Sequence, residues 1–229
     1  MNSLSGPEPT SPDAAKYYDA FAETGMYEED SEAIGWPAAV DVLVGKAIEA
    51  ATGGMTSHLD LAAGSGIAIE AVKRRLKPER TVAVDASARM LDLLRGKELD
   101  GVDIQHETVQ RFVEATGDRF DLITFMSAAE FLPNLPVTLH RTARLLNKNG
   151  TMLFTYLPLD EGQRPEELID DTEKLGASAV VHSWPAQEIE WSVTDSGLEV
   201  LEHARLADIQ PVDTLDYNFM IARKLHAGN

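Results

Sequence analysis

Residues 58–66 read HLDLAAGSG, and this stretch decides the fold. His58-Leu59-Asp60-Leu61-Ala62-Ala63 is a short apolar run of the kind that forms a buried strand. Gly64-Ser65-Gly66 follows at once. Two glycines let the backbone turn tightly and approach a ligand without a Cβ in the way. Residues 67–77 then carry Ile69, Val72 and Leu76 at helical spacing, with Pro78 as the stop. Residues 81–85, TVAVD, form a β-branched second strand that ends on an acid. A strand, a glycine turn, a helix and another strand make a βαβ unit, and its two strands must be parallel.

The alternation continues downstream. Residues 86–96 are helical, with Met90, Leu91 and Leu94 on the apolar side. Residues 102–106 are a weaker third strand and 121–126 a strong fourth one. A helix over 137–146 is closed by Asn147-Lys148-Asn149-Gly150 and followed by a fifth strand, 151–156. Upstream, Pro37 sits in the first turn of a helix that Gly53-Gly54 ends. Residues 13–22 form an earlier helix with Tyr17, Ala20 and Phe21 on one face, and 1–13 read as a flexible tail. Past the fifth strand, 158–176 read as loop plus short helix, 185–196 as a helix, and 198–202 and 217–222 as strands. Alternating strands and helices at this spacing predict an α/β fold: a doubly wound, Rossmann-like parallel sheet with helices on both faces. The expected division is 1–34, tail and lid helix, then 35–229, a single α/β domain in which 158–182 covers the pocket.

Composition narrows the function. Acids exceed bases by 38 to 20, giving a net charge of −18 in 229 residues. Such a surface repels polyanions, so nucleic acid and anionic membranes are poor partners. The one basic cluster, Lys73-Arg74-Arg75 with Lys77, falls where a helix ends and complements its dipole. There is no cysteine, which removes thiol catalysis and cysteine-based zinc sites. The six histidines show no metal-ligand spacing, so no metal site is expected. No apolar run reaches membrane-spanning length and the N-terminus lacks a secretory pattern, so the cytoplasm is the expected location. The chain is expected as a monomer or homodimer.

In open α/β sheets ligands bind beyond the carboxyl ends of the strands. Gly64 and Gly66 lie there, and Asp85 follows about twenty residues on, placed to accept hydrogen bonds from both hydroxyls of a ribose. A plain βα turn with a helix-capping aspartate is the bland alternative. A nicotinamide dinucleotide is the rival ligand, but its G-x-G-x-x-G turn needs a third small residue where this chain has Ile69. Asp60, just before the turn, suits an ammonium or sulfonium better than a pyrophosphate. The site therefore reads as one for a cationic adenosine ligand.

These residues resemble the motifs of class I S-adenosylmethionine-dependent methyltransferases, in their small-molecule branch. HLDLAAGSG is similar to the family's acid-x-Gly-x-Gly-x-Gly motif, with Asp60, Gly64 and Gly66 matching and Ala62 in place of the first glycine. TVAVDASARML, 81–91, resembles the second motif, with Asp85 as the ribose-binding acid and Ala86 and Met90 beside it. IQHETVQRF, 104–112, is looser: His106-Glu107-Thr108 stand where the adenine-contacting Gly-Asp-Ala is usual. FDLITFMSAAEFLP, 120–133, resembles the segment flanking the methionine end of the cofactor, which brings in Met126 and Ser127. The resemblance implies a seven-stranded sheet with the last strand antiparallel. It also implies S-adenosylmethionine as cofactor, S-adenosylhomocysteine as product, and an N-terminal lid that brings Tyr18 to the cofactor. The implied reaction moves a methyl group to O, N or C of a small molecule, as in natural-product tailoring enzymes. A cyclase or decarboxylase that uses the cofactor only as a charge, and a non-catalytic regulatory subunit, would carry the same binding residues. For the acceptor side the candidates are Glu130 after the fourth strand, Tyr156 after the fifth, and His182, with Trp184 and 158–176 above the pocket.

Overall fold

The computed structural model describes residues 12–209 and 216–225. The expected tail, apart from its last two residues, lies outside them. Three helices come first: α1 (Pro12–Glu23), α2 (Tyr27–Ala33) and α3 (Trp36–Glu49). Then follow β1 (Ser57–Leu61), α4 (Ile67–Arg75), β2 (Arg80–Asp85), α5 (Ala88–Gly96), β3 (Val102–His106), α6 (Val109–Ala115) and β4 (Phe120–Phe125). The rest is α7 (Leu135–Arg144), β5 (Leu146–Pro158), β6 (Glu166–Asp171), α8 (Thr172–Leu175), β7 (Ala177–Trp184), α9 (Ala186–Asp195), β8 (Leu198–Arg205) and β9 (Asn218–Lys224).

Seven strands form the main sheet in the order β3-β2-β1-β4-β5-β9-β8. The pairs from β3 to β5 are parallel. β9 alone runs against its neighbours, paired antiparallel with β5 and β8. This is the expected α/β sheet with a late antiparallel strand. Strand alternation sorts the core into two layers. Leu59, Leu61, Ile123, Phe125, Phe154 and Tyr156 face α6, α7 and α9. Leu122, Met126 and Leu153 face α3 and α4, where Val40, Leu43 and Val72 pack. Among the described residues no helix is long and apolar enough to cross a membrane.

The helix ends follow local chemistry. The Ser87 hydroxyl accepts from Met90 N–H to start α5, and the Asn134 side chain accepts from Val137 N–H to start α7. The basic cluster is spent internally: Arg74 and Arg75 pair with Asp41 on α3 at 3.1 and 2.6 Å, at the last turn of α4.

One expectation needs correction. Residues 158–176 do hold a loop and the short helix α8, but also the strand β6, which forms an antiparallel hairpin with β7, joined to the end of β5 at Leu157–Ser183 and Pro158–Trp184. β6 is the acidic segment EELIDD and pairs only with β7, so it lacks the apolar alternation of a core strand, as a charged edge does. A second unforeseen element is α2, an acidic helix bracketed by Gly25 and Gly35, both at positive φ.

Gly66 shows why the first turn is spelled as it is. Its φ is +89°, and a Cβ there would stand 2.4 Å from Leu94 Cδ1. Gly66→Ala is expected to lower unfolding free energy by about 1–3 kcal/mol, from backbone strain plus overpacking. A denaturant midpoint equal to the parent's would place no such constraint on the turn.

Candidate active site

The strand order reverses between β1 and β4, the switch point beside whose carboxyl ends ligands bind in such sheets. A cavity opens there. Its floor is the loop from Ala62 to Ser65, and its sides come from Asp85 to Ser87, Thr108 to Gln110 and Met126 to Ala128. Its roof is helical: Ala14, Ala15 and Tyr18 of α1, Tyr27 of α2, and Trp36 and Val40 of α3.

Asp85 ties two turns together. Its Oδ2 accepts from Gly64 N–H at 2.8 Å and its Oδ1 from Ser87 N–H at 2.7 Å. Each oxygen keeps a second lone pair. Burial pushes this carboxyl above its ordinary range, against the pull of the two amides. Ala62 sits at φ +52°, a conformation that suits the glycine it replaces, and Gly64 at +55°.

Asp60 is 1% exposed. Its Oδ1 accepts from Thr124 Oγ1 at 2.6 Å, and Thr124 Oγ1 lies 2.8 Å from His58 Nε2. Burial, with the Lys73 charge adding to it, pushes His58 down to about 3, so the ring is neutral. Thr124 gives its only proton to Asp60, so His58 Nε2 carries the hydrogen that Thr124 accepts. Asp60 Oδ2 is buried without a hydrogen-bond partner. Burial, with the nearby Asp85 charge, raises Asp60 to about 7 despite the Thr124 bond. A buried carboxylate oxygen in the wall of a cavity is a seat for a cation.

The roof is bolted down. Asp19 Oδ1 accepts from Ser87 Oγ at 2.6 Å and from Arg89 N–H at 3.0 Å, joining α1 to α5. Tyr17 donates to Asp171 Oδ2 at 2.6 Å, joining α1 to the β6–β7 hairpin. Tyr18 packs edge-on against Phe131 and Tyr27.

The structure gathers most of the cofactor candidates at this cavity: Tyr18, Asp60, Ala62, Gly64, Asp85, Ala86, Met90, Thr108, Met126 and Ser127 all line it. Gly66 instead caps α4 behind the floor. Glu107 turns its carboxylate back to Thr108 N–H and Arg111, away from the wall.

The acceptor candidates fare differently. Glu130 is 3% exposed and stands behind the wall, its Oε1 accepting from Tyr217 at 2.5 Å. Tyr156 is corrected: it belongs to the opposite layer, its hydroxyl held by His203 and Asn218. β5 runs on to Pro158, and two-residue alternation turns Thr155 and Leu157, not Tyr156, to the α3 side. His182 is also corrected: it pairs across the hairpin with Glu166, while Val181 faces α1. Trp184 packs into the opposite layer. Residues 158–182 line no part of this cavity; the hairpin backs α1 instead. Sequence reading missed Gln110 and Phe131 in the wall, and Tyr217 behind it. The strand expected over 217–222 marks Tyr217 only as a core aromatic.

Gly64 gives a direct check on the floor. A Cβ there would meet Met90 Cε at 3.2 Å and Tyr27 Oη at 3.7 Å, at a φ that side chains avoid. Gly64→Val is expected to lose at least tenfold in cofactor affinity while circular dichroism stays native. Normal binding would place the ligand elsewhere.

The described residues hold no cluster of three or more His, Cys, Asp or Glu suited to a metal ion. Comparison with known proteins agrees with the fold. A methyltransferase domain family matches residues 20–203. Ubiquinone biosynthesis O-methyltransferases of Hahella chejuensis and Alkalilimnicola ehrlichii are 25% identical over 154 residues and 24% identical over 164. Those alignments take in 66% and 70% of this chain but only 61% and 64% of the relatives. The magnesium protoporphyrin IX methyltransferase of Synechocystis, solved with bound S-adenosylmethionine, superposes with a TM-score of 0.65 at 12% identity, covering 98% of this chain and 100% of that one. The chain belongs to the methyltransferase domain family and shares the fold of solved S-adenosylmethionine-dependent methyltransferases.

Proposed function

We propose that this chain transfers a methyl group from S-adenosylmethionine to a hydroxyl oxygen of a small, largely apolar, uncharged molecule of the phenol kind. The observation that carries the cofactor half is Asp60 Oδ2, buried without a partner in the wall of the cavity. The observation that carries the acceptor half is the rest of that wall. Among the described residues its ionisable groups are Asp60, Asp85, Tyr18 and Tyr27, and no described Lys, Arg or His lines it. An anionic acceptor would meet no countercharge, whereas a flat apolar ring would meet Tyr18, Trp36 and Phe131. The relatives in ubiquinone biosynthesis are named as O-methyltransferases, which favours oxygen over nitrogen or carbon. A tailoring step on a natural product fits this chemistry.

Each residue then has a task. Asp85 uses its free lone pairs for the ribose hydroxyls. Gln110 and Thr108 stand at the adenine end. Asp60 faces the cationic methionine end. Tyr18, Tyr27 and Phe131 keep water out. The bound cofactor supplies an electrophilic methyl and its own leaving group. The chain's main contribution is to hold the acceptor oxygen in line in a dry space.

The test is incubation with methyl-labelled S-adenosylmethionine and a panel of neutral phenols, catechol among them, against carboxylate and phosphate analogues. Transfer to the neutral members is expected. Cofactor binding with transfer to none of the panel would sink the acceptor half and favour a use of the cofactor as charge alone.

A further inference from the structure

We propose that Ser127, Tyr217 and Glu130 form a proton relay that leads from the cavity to a buried carboxylate, with Ser127 as the group that touches the acceptor hydroxyl. The relay rests on the hydroxyl-acceptor reading above and names the group that takes the proton.

Ser127 lines the cavity just past β4, at φ +51°, a strained conformation for a residue with a side chain. Its N–H is anchored on Thr155 Oγ1 at 2.7 Å, so the strain is held from β5. Its Oγ lies 2.8 Å from Tyr217 Oη, and Tyr217 donates to Glu130 Oε1 at 2.5 Å. Tyr217 has one proton and gives it to Glu130, so it accepts from Ser127. Ser127 then offers an acceptor lone pair to the cavity. Every donor in the chain points the same way, towards Glu130.

Glu130 Oε2 is buried without a hydrogen-bond partner. The charged and titratable neighbours facing Glu130 are Tyr217 and Tyr18, with no cation among them. Burial raises Glu130 to about 7, and the hydrogen bond from Tyr217 is the main contribution opposing the rise. Burial and the Glu130 charge hold both tyrosines well above their ordinary value, so Tyr217 passes a proton on and does not store one.

The step balances. The acceptor oxygen's lone pair forms the bond to the methyl carbon, and the carbon–sulfur pair leaves with sulfur. The acceptor proton moves to Ser127 Oγ, the Ser127 proton to Tyr217 and the Tyr217 proton to Glu130. Alcohol, sulfonium and carboxylate become ether, thioether and carboxylic acid. Ser127 is the catalytic contact; Tyr217 and Glu130 are positioning residues that act through it.

The first experiment needs no acceptor. Infrared titration of the full chain should show two buried carboxyls that titrate near pH 7, Asp60 and Glu130, and the second is missing in Glu130→Gln. Tyr217→Phe should move that titration upwards by about one unit, because the carboxylate loses a donor. With catechol as probe, Tyr217→Phe and Ser127→Ala should cut turnover at pH 7 by about 10–100-fold with cofactor affinity intact. The parent's rate should rise with pH through the Glu130 titration, and Glu130→Gln should flatten that rise. A Glu130 titration that Tyr217→Phe leaves in place overturns the relay. So does turnover that falls only with cofactor affinity. Coupled titrations without transfer to any phenol would overturn the hydroxyl-acceptor reading instead.

Discussion

Asp85→Ala is expected to weaken S-adenosylmethionine binding by about 3–6 kcal/mol, or about 10²–10⁴-fold. The reason is the double use of one carboxylate. Towards the protein it holds Gly64 N–H and Ser87 N–H, the two amides that shape the floor turn and the start of α5. Towards the cavity it has a free lone pair on each oxygen for a ribose hydroxyl, and two charge-assisted bonds are worth about 1.5–3 kcal/mol each. Alanine removes both sets. It leaves two partly buried amides without their acceptor, so the variant should also unfold at lower denaturant. Asp85→Asn separates the two roles. Its oxygen still serves one amide, but its NH₂ confronts the other donor, so it should fall between parent and alanine. Calorimetry decides: affinity within threefold of the parent for Asp85→Ala would mean that the ribose is held elsewhere.

The pairing of Asp85 with Gly64 was legible because both functions lie on one short segment. Strand, turn, helix and strand are local, and the twenty-residue interval is set by the length of a βαβ unit. The same holds for Asp60 and Ser127, each fixed by the end of its strand. What lay hidden depended on contacts distant in sequence. Tyr217 reaches Glu130 across 87 positions and Ser127 across 90, and nothing near Tyr217 in the chain marks it. Tyr156 was misplaced by parity: an expected strand end at 156 leaves its direction free, while a strand that continues to Pro158 fixes it. The β6–β7 hairpin was hidden because an edge strand needs no apolar face, so EELIDD reads as loop. His182 went with it.

Cofactor affinity is expected to fall about 50-fold between pH 7 and pH 5, through Asp60. The cation at this site requires the carboxylate, and in the cofactor-free protein burial has raised Asp60 to about 7. Below that value each unit of pH costs close to tenfold, because a proton must leave before the cation can settle. The sulfonium and the ammonium both stay charged across the window, so the carboxyl sets the slope. The groups around Asp60 reinforce the assignment. Asp85 repels its charge, Thr124 alone donates to it, and His58 is neutral behind Thr124. Stability should run the other way. A carboxyl whose folded value lies above its unfolded value of about 3.9 binds its proton earlier in the folded chain. The cofactor-free protein therefore gains stability as the pH falls from about 7 towards 4, and Glu130 adds to the gain over the same window. Acid thus tightens the empty fold while it loosens the complex. Asp60→Asn should bind more weakly than the parent at pH 7 and show a nearly level affinity between pH 5 and pH 7. Calorimetry in buffers of different ionisation heat should show close to half a proton released on binding at pH 7 by the parent, and none by Asp60→Asn. Equal proton release by the two would remove Asp60 from the cation site and leave the buried, partnerless Oδ2 without a ligand to explain it.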